Sequence, residues 1–293
     1  MVKAKKDLGQ NFLTDEDVLK QIVESANLSK EDTVIEIGPG TGALTRHLIE
    51  KAGQVISVEI DTDLLPQLKH KFGHKPNFTL IHGDALKFAP PKTPYKIVAN
   101  IPYYITSPII NHFLLEQFTQ GNPPKILVIM VQKEVAEKIV AKKEKHSVLS
   151  LQVHLFGEPE LVCIVPKTAF IPMPKVDSAV IKITVDKTPK INADLKKIMW
   201  TIHMAFKQKR KKLCNNLSAM FRKEPVEIKE LLKSLNIDQD IRAEDLKIEE
   251  WSRLINAIDV PRGVHHAFGD WLREQFLQSF LHSALRHFLQ MHK

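Results

Sequence analysis

The chain has 293 residues, 43% of them hydrophobic, and carries a net charge of +8 at pH 7. This length and composition allow one large core and a smaller one beside it, and no apolar run is long enough to span a membrane. No secretory signal follows the lysines near the start, and Cys163 and Cys214 have neither metal nor redox spacing, which favours a cytoplasmic protein with free thiols.

Short β-branched runs alternate with helix-compatible stretches through the first part of the chain. The predicted helices cover 15–27, 44–51, 63–72 and 107–117, and the predicted strands cover 33–38, 54–60, 78–84, 95–102 and 125–132. Strands that are apolar on both faces and separated by helices are typical of a parallel sheet covered on both sides. Later strands are predicted within 148–166, with a turn at Gly157-Glu158-Pro159, and at 178–185, where they fit antiparallel at one edge.

The strand pattern stops after Thr188-Pro189, and we predict a domain boundary there. Residues 1–188 form the predicted α/β domain, and residues 189–260 form a small helical domain whose first helix runs from about Asn192 to Lys212. Residues 261–293 have the apolar spacing of an amphipathic helix, and packing on the helical domain is the favoured prediction for them.

The positive charge is concentrated in residues 190–223, which hold ten lysines and arginines and one acid. A polyanion is a fitting partner, because contacts to phosphates gain affinity through counterion release. A solvated helix face would have the same composition, and charge alone does not separate RNA from DNA or a membrane surface. The candidate RNA contacts are Lys207, Lys209, Arg210, Lys211 and Lys212.

A glycine loop, Glu36-Ile37-Gly38-Pro39-Gly40-Thr41-Gly42, lies between the strand at 33–38 and the next helix. Glycines there permit positive φ and a close approach of the backbone to a ligand. Their spacing at every second position differs from the G-x-G-x-x-G of dinucleotide sites, where a pyrophosphate meets a helix N-terminus. The Glu36 carboxylate suits a positively charged cofactor better, which leaves NAD as a minor alternative.

Two further acids stand at the ends of the next two strands. Glu59 can accept hydrogen bonds from both hydroxyls of a ribose, and Asp84 can accept one from an adenine amino group. Alone, each acid is more often a loop or cap residue. Three acids in this order, with this glycine loop, are typical of the Rossmann-like class I methyltransferases, whose cofactor is S-adenosyl-L-methionine.

The segment Asn100-Ile101-Pro102-Tyr103 follows the fourth strand, where a buried strand would not ordinarily end in Asn and Pro. We expect the Asn100 side chain and the Ile101 carbonyl to accept from an adenine N6 amine, Pro102 to fix the turn, and Tyr103 to stack on the base. Two acceptors favour a pyramidal nitrogen aimed at the methyl group, so positioning supplies most of the rate and no general base is needed. The absence of a nearby cysteine argues against cytosine C5 methylation.

Phe170 heads a proline-stiffened segment, 170–178, and is the candidate for the second face of a base-stacking clamp. The alternative is a loop whose Phe170 fills the core. By itself the Asn100 motif is likewise most often an ordinary strand-ending turn.

Together these residues resemble the KsgA-type ribosomal RNA adenine dimethyltransferases over about residues 7–258. The shared motifs are Leu8-Gly9-Gln10-Asn11-Phe12-Leu13, the glycine loop, Glu59, Gly83-Asp84, Asn100 to Tyr103, Phe170 to Ser178, Phe206 to Leu217 and Arg242 to Leu246. The resemblance implies cofactor contacts from Asn11, Leu13, Gly38, Glu59, Asp84 and Asn100, with Asn11 and Leu13 folded over the cofactor. It also implies dimethylation of N6 in two adjacent adenosines near the 3′ end of small-subunit rRNA, within a pre-30S particle, by a chain that we expect to be monomeric.

Three alternatives stay open. Erythromycin-resistance methyltransferases share nearly all these motifs but modify large-subunit rRNA; Gly9, the residues 175–178 and the helical domain favour the small-subunit branch. A ribosome-assembly or transcription factor would keep the fold without turnover. A DNA adenine methyltransferase would usually have proline where Ile101 stands. The run Lys209-Arg210-Lys211-Lys212 keeps the positive charge of the family's Arg-Arg-Lys-Thr-like run but differs from it in its residues. The resemblance therefore does not assign individual RNA contacts to these four residues.

Overall fold

The computed structural model describes residues 4–141 and 145–259. These residues divide into two compact units: unit 1 contains residues 4–140 and 157–186, and unit 2 contains the described part of 141–156 together with 187–259. The tail predicted at 261–293 lies outside the described residues, and the domain boundary near Pro189 stays a prediction. None of the helices in the described ranges combines the length and the apolar character that crossing a membrane requires.

Unit 1 is built on a seven-stranded sheet. The strands of the unit are β1 (Phe12–Leu13), β2 (Thr33–Ile37), β3 (Gln54–Glu59), β4 (Phe78–His82), β5 (Tyr95–Asn100), β6 (Ile126–Gln132), β7 (Gly157–Val165), β8 (Phe170–Ile171) and β9 (Ser178–Val185). The sheet order is β4-β3-β2-β5-β6-β9-β7, in which the first five strands are parallel and β9 and β7 are antiparallel. The predicted parallel sheet with antiparallel additions at one edge is confirmed.

Helices cover the sheet and account for its apolar strands. Those of unit 1 are α1 (Glu16–Ser25), α2 (Ala43–Lys51), α3 (Leu65–Phe72), α4 (Thr106–Ile110), α5 (Gln117–Thr119) and α6 (Lys133–Val140), with a π-helical turn at Asn111–Glu116 between α4 and α5. Val34, Ile35, Ile97 and Val98 are completely buried, although neighbours along a strand face opposite sides of the sheet. Burial on both faces is why these strands are continuous apolar runs rather than alternating ones.

From β2 the chain adds β3 and β4 on one side of the sheet, and then returns to add β5 and β6 on the other side of β2. The direction in which strands are added therefore reverses between β2 and β5. In doubly wound sheets, ligands bind outside the carboxyl ends of the strands at such a point. The glycine loop follows β2 and Asn100 ends β5. The topology therefore brings two separate sequence motifs to one crevice.

A second, two-stranded sheet joins the start of the described chain to the proline-rich segment. Phe12 of β1 pairs with Ile171 of β8, and Leu13 pairs with Phe170, in antiparallel register. Thr14 extends the contact, because both its backbone N (2.9 Å) and its hydroxyl (3.1 Å) donate to the Ala169 carbonyl. This pairing fixes residues 11–14 beside the crevice.

Unit 2 is helical, as predicted, but begins earlier than expected. Its helices are α7 (Val148–Phe156), α8 (Leu195–Phe206), α9 (Leu213–Phe221), α10 (Pro225–Ser234) and α11 (Ile248–Ala257). The strand predicted over 148–156 is therefore wrong, and only 157–165 is a strand. Residues 150–156 are all buried, and an apolar run without a polar face does not distinguish a buried helix from a buried strand.

The basic run is also not on a helix, because α8 ends at Phe206 rather than Lys212. Buried Asn216, in α9, donates from Nδ2 to the carbonyls of Ala205 (2.6 Å) and Gln208 (3.2 Å). These bonds satisfy carbonyl groups that lose their intrahelical partners where a helix ends. Residues 207–212, which we call the basic loop, are exposed and connect α8 to α9.

Candidate functional site

A pocket opens at the switch point, beside the carboxyl ends of β2, β3 and β5. It collects the residues predicted for cofactor and base from six separate stretches of unit 1. The predicted residues that line it are Asn11, Leu13, Gly38, Glu59, Asp84, Asn100, Ile101, Pro102, Tyr103 and Phe170. The predicted RNA contacts of the basic loop belong to unit 2.

The ionisable groups of the pocket have one sign. Its acids are Glu36, Glu59 and Asp84, and its lining, taken over the described residues, includes no lysine, arginine or histidine. Such a lining repels phosphate and attracts a cation. The pocket therefore argues against a dinucleotide and fits a positively charged cofactor.

Glu36 is the most deeply buried of these acids, at 1% exposure. Its Oε2 accepts hydrogen bonds from the hydroxyls of Thr45 (2.8 Å) and Ser57 (2.5 Å), whereas Oε1 accepts none from the described residues. Burial raises the pKa of Glu36 to about 7, against the opposing effect of the two hydroxyls. An unpartnered buried carboxylate oxygen at a pocket wall is unusual and points to a donor or cation supplied by a ligand.

The glycine loop shapes the wall next to Glu36. Gly38 has φ +65°, and a Cβ added there would meet nothing within 4 Å, so the space above its backbone is open pocket. The Gly40 amide donates to Glu59 Oε2 (3.2 Å), and the Asp61 amide donates to Oε1 (2.8 Å). Burial raises the pKa of Glu59 despite these bonds, so its carboxylate is held in position but poorly solvated.

Asp61 was not assigned a role from the sequence. It is 2% exposed, and it accepts hydrogen bonds from Lys5 Nζ (2.6 Å) and Gln10 Nε2 (2.7 Å). Burial acts to raise the pKa of Asp61, but the bonds from Lys5 and Gln10 outweigh it and lower the pKa. The acid thus ties residues 5–10 to the end of β3, on the rim of the pocket.

Asn100 reaches the pocket from the end of β5. Its Nδ2 donates to the Asn11 carbonyl (3.4 Å), while no described residue donates to its Oδ1. Ile101 is buried at 1% exposure, and Pro102 holds extended backbone at φ −56°, ψ 135°. With the amide nitrogen occupied, the side-chain oxygen is the group left to accept from a ligand.

Two of the aromatic residues that line the pocket are those predicted to stack on the base, Tyr103 and Phe170. The Tyr103 hydroxyl lies 2.6 Å from the Ser178 hydroxyl, and Ser178 is completely buried at the start of β9, so the ring is anchored at its far end. Burial raises the pKa of Tyr103. Phe170 is 3% exposed and packs in the main core, yet also lines the pocket. Its stacking role stays a prediction.

The basic loop offers charge of two kinds. Lys212 Nζ pairs with Asp240 (2.9 Å), which also faces Lys229 (3.4 Å), and this pairing raises the pKa of Lys212. The other basic residues of the loop are exposed and have no ion pair with a described residue: Lys207, Lys209, Arg210 and Lys211.

In the two described ranges, no three His, Cys, Asp or Glu side chains are grouped so as to hold a metal ion.

The sheet order, the glycine loop and the acidic pocket together define a class I methyltransferase. Within that class, the chain belongs to the ribosomal RNA adenine dimethylase family, whose model matches residues 1–260. The match ends where the predicted tail begins. Family and fold both imply the use of S-adenosyl-L-methionine.

Relatives and solved structures agree with this family. A protein of Dehalococcoides mccartyi (strain CBDB1) named ribosomal RNA small subunit methyltransferase A is 44% identical over 259 residues, covering 86% of this chain and 88% of the relative. A protein of the same name from Lactococcus lactis is 43% identical over 267 residues, covering 87% and 90%. The crystal structure of 23S rRNA methyltransferase ErmE matches with TM-score 0.69 and 30% identity, covering 84% of this chain and 98% of that one. A dimethyladenosine transferase from Plasmodium falciparum matches with TM-score 0.69 and 28% identity, covering 83% and 95%.

Proposed function

We propose that this chain transfers methyl groups from S-adenosyl-L-methionine to N6 of two adjacent adenosines near the 3′ end of small-subunit rRNA, forming N6,N6-dimethyladenosine. The observation that carries the proposal is the meeting of Asn100-Ile101-Pro102-Tyr103 with three carboxylates in one pocket. The small-subunit assignment is supported by relatives of that name at 43–44% identity, against 30% for the large-subunit enzyme.

The pocket fits the cofactor in three respects. The bound cofactor supplies an electrophilic methyl group on a positively charged sulfonium. Glu36 has an unpartnered carboxylate oxygen for its positive charge, and Gly38 leaves the loop open to it. Glu59 and Asp84 are the acceptors for its ribose and adenine, and Asn11 and Leu13 lie on the pocket wall beside them.

The target amine is positioned by Asn100 and Ile101. In the first transfer the Asn100 Oδ1 and the Ile101 carbonyl each accept one hydrogen of the adenine N6 amine. In the second transfer one of them accepts the single hydrogen left on the methylated amine. Both arrangements favour a pyramidal nitrogen with its lone pair free for attack. With the nitrogen held in this way, the bound cofactor would supply the methyl group from its sulfonium, and the methylated amine would then lose its proton to solvent. Tyr103 and Phe170 hold the two faces of the base, and stacking of this kind contributes about 1–3 kcal/mol per base.

The RNA is held by the basic loop of unit 2. Its exposed lysines and arginine bind phosphates through counterion release, which gives affinity without sequence preference. We propose that the chain acts as a monomer on a pre-30S particle in the cytoplasm, where the particle is assembled.

The test uses radiolabelled S-adenosyl-L-methionine with small ribosomal subunits that lack the modification, with large subunits in parallel. Label recovered as dimethyladenosine from small-subunit RNA, and lost in Asn100→Ala, is the expected result. Label on large-subunit RNA alone would move the chain to the resistance branch. No label on either, with the cofactor still bound, would overturn catalysis and favour an assembly factor.

A further inference from the structure

His112 is a buried polar residue that neither the motifs nor the proposed chemistry uses. It lies in the π-helical turn Asn111–Glu116 and is 8% exposed. Its Nδ1 lies 2.7 Å from Glu116 Oε2, and its Nε2 lies 3.0 Å from the Phe88 carbonyl oxygen. The ring therefore bridges the helical segment that follows the Asn100 motif and the loop that follows β4.

The hydrogen-bond partners determine where the hydrogens are. A backbone carbonyl only accepts, so the Nε2 of His112 must carry a hydrogen and donate it to Phe88. The Nδ1 faces a carboxylate oxygen at 2.7 Å, a separation that requires one hydrogen between the two atoms. Glu116 thus fixes the orientation of the ring, and the ring fixes the Phe88 carbonyl.

Phe88 ends the turn that carries Asp84. The Asp84 carboxylate accepts from the Leu86 amide (2.9 Å), and the Asp84 carbonyl accepts from the Lys87 amide (2.9 Å), so residues 84–87 form one hydrogen-bonded turn. On the other side, the Gly83 amide donates to the Glu59 carbonyl (2.9 Å). The turn is therefore attached at two ends, to β3 through Gly83 and to the helical segment through His112.

We propose that His112 is a positioning residue for the cofactor: through the Phe88 carbonyl it holds the turn of Asp84 at the height needed to accept from the adenine amino group. This inference rests on the proposed function, which assigns the adenine to Asp84. Glu116 acts one step further out, by keeping the imidazole in the orientation that donates to Phe88. Such outer partners act through the placement of a contact residue rather than by touching the ligand.

The decisive variant is His112→Phe, which keeps an aromatic ring and removes both hydrogen bonds. We expect the Kd for S-adenosyl-L-methionine, measured by calorimetry on the full chain, to rise about tenfold, the effect of one lost hydrogen bond, because only the bond to Phe88 acts on the turn of Asp84. The KM for the cofactor should rise by the same factor while kcat at saturating cofactor stays within about twofold. If His112 were purely structural, the substitution would lower the melting temperature without raising the KM for the cofactor selectively over kcat.

Two conservative variants separate positioning from stability. In Glu116→Gln the amide can donate to Nδ1 and so keep the Nε2 hydrogen on Phe88; the Kd should stay within about twofold of the parent. In His112→Gln one donor toward Phe88 returns, and the Kd should recover most of the loss seen with phenylalanine. If His112→Phe does not fold, His112→Leu takes its place, since it also lacks a donor to the Phe88 carbonyl and carries the same expected rise in Kd.

The matched control is Tyr95→Phe, which removes a bond of the same kind, from the Tyr95 hydroxyl to the Asn122 carbonyl (3.0 Å), at the other end of β5. It should lower the melting temperature without changing the Kd. An unchanged Kd in His112→Phe, or an equal rise in Tyr95→Phe, would overturn the inference while leaving the proposed function intact. Failure of the parent chain to bind the cofactor would instead overturn the proposed function.

Discussion

The affinity for the cofactor should depend on the ionisation of Glu36. Burial raises the pKa of this acid to about 7, the hydroxyls of Ser57 and Thr45 act in the opposite direction, and the nearby charge of Glu59 raises it further. A cation bound against the free carboxylate oxygen requires the ionised form. The experiment therefore measures the affinity for S-adenosyl-L-methionine as the pH is changed from below to above 7, in the parent chain and in Glu36→Gln.

The magnitude follows from the pKa. With a value of about 7, roughly one tenth of the molecules have ionised Glu36 at pH 6 and roughly nine tenths at pH 8. The association constant for S-adenosyl-L-methionine should therefore rise by about tenfold over this interval, with release of a proton on binding at pH 6. In Glu36→Gln the affinity should be low and flat with pH.

The same shift affects the unliganded fold with the opposite sign. Because the pKa is raised above its ordinary value of 4.5, Glu36 favours folding below pH 4.5, and this contribution is lost as the pH rises through 7. A shift of this size corresponds to about 3 kcal/mol, so unliganded Glu36→Gln should be more stable than the parent at pH 8. Titration calorimetry and denaturant unfolding at pH 6, 7 and 8 measure both effects. An affinity that does not change with pH in the parent, or that changes equally in Glu36→Gln, would refute the reasoning.

Three further changes have defined outcomes. Lys96→Met removes the bonds from Nζ to the Ala26 and Asn27 carbonyls and to Asp32 (3.2, 2.6 and 3.0 Å) at the amino end of β5; denaturant unfolding should show a loss of about 3 kcal/mol, with cofactor affinity unchanged. Gly38→Ala forces a methyl group into the pocket at positive φ, and calorimetry should show cofactor affinity falling by about tenfold or more. Replacing three basic-loop residues by glutamine should reduce the slope of log affinity for RNA against log salt by about two to three, whereas Lys212→Gln, whose ammonium already pairs with Asp240, should change it least. The three residues are Lys209, Arg210 and Lys211.

The apolar strand runs predicted the parallel sheet well, because strands buried on both faces are continuous runs of apolar residues in the sequence. The same property caused the error at 148–156, where a helix buried on every side has the composition of a buried strand. The end of α8 could not be read from the basic run either, because it depends on Asn216, a residue of the next helix that binds the carbonyls of Ala205 and Gln208.

The site was predictable where chemistry and strand ends coincide. Glu59 and Asn100 end strands and Asp84 closely follows one, and parallel strands present their carboxyl ends together. Asp61 and His112 were not predictable by that route, since their partners Lys5, Gln10 and Phe88 come from loops with no period. The roles of the residues that line the pocket stay predictions until the binding and labelling experiments are made.

The pairing of β1 with β8 has a consequence for folding. It joins residues 12–13 to residues 170–171, which are far apart in the chain. The entropic cost of closing so long a loop is large, so we expect this pairing to form only after most of unit 1 between these residues has folded. A nascent chain can thus assemble the three acids and still lack the wall formed by Asn11, Leu13 and Phe170. Since a ligand that binds only the native state stabilises it by mass action, S-adenosyl-L-methionine should select completely folded chains and slow their unfolding.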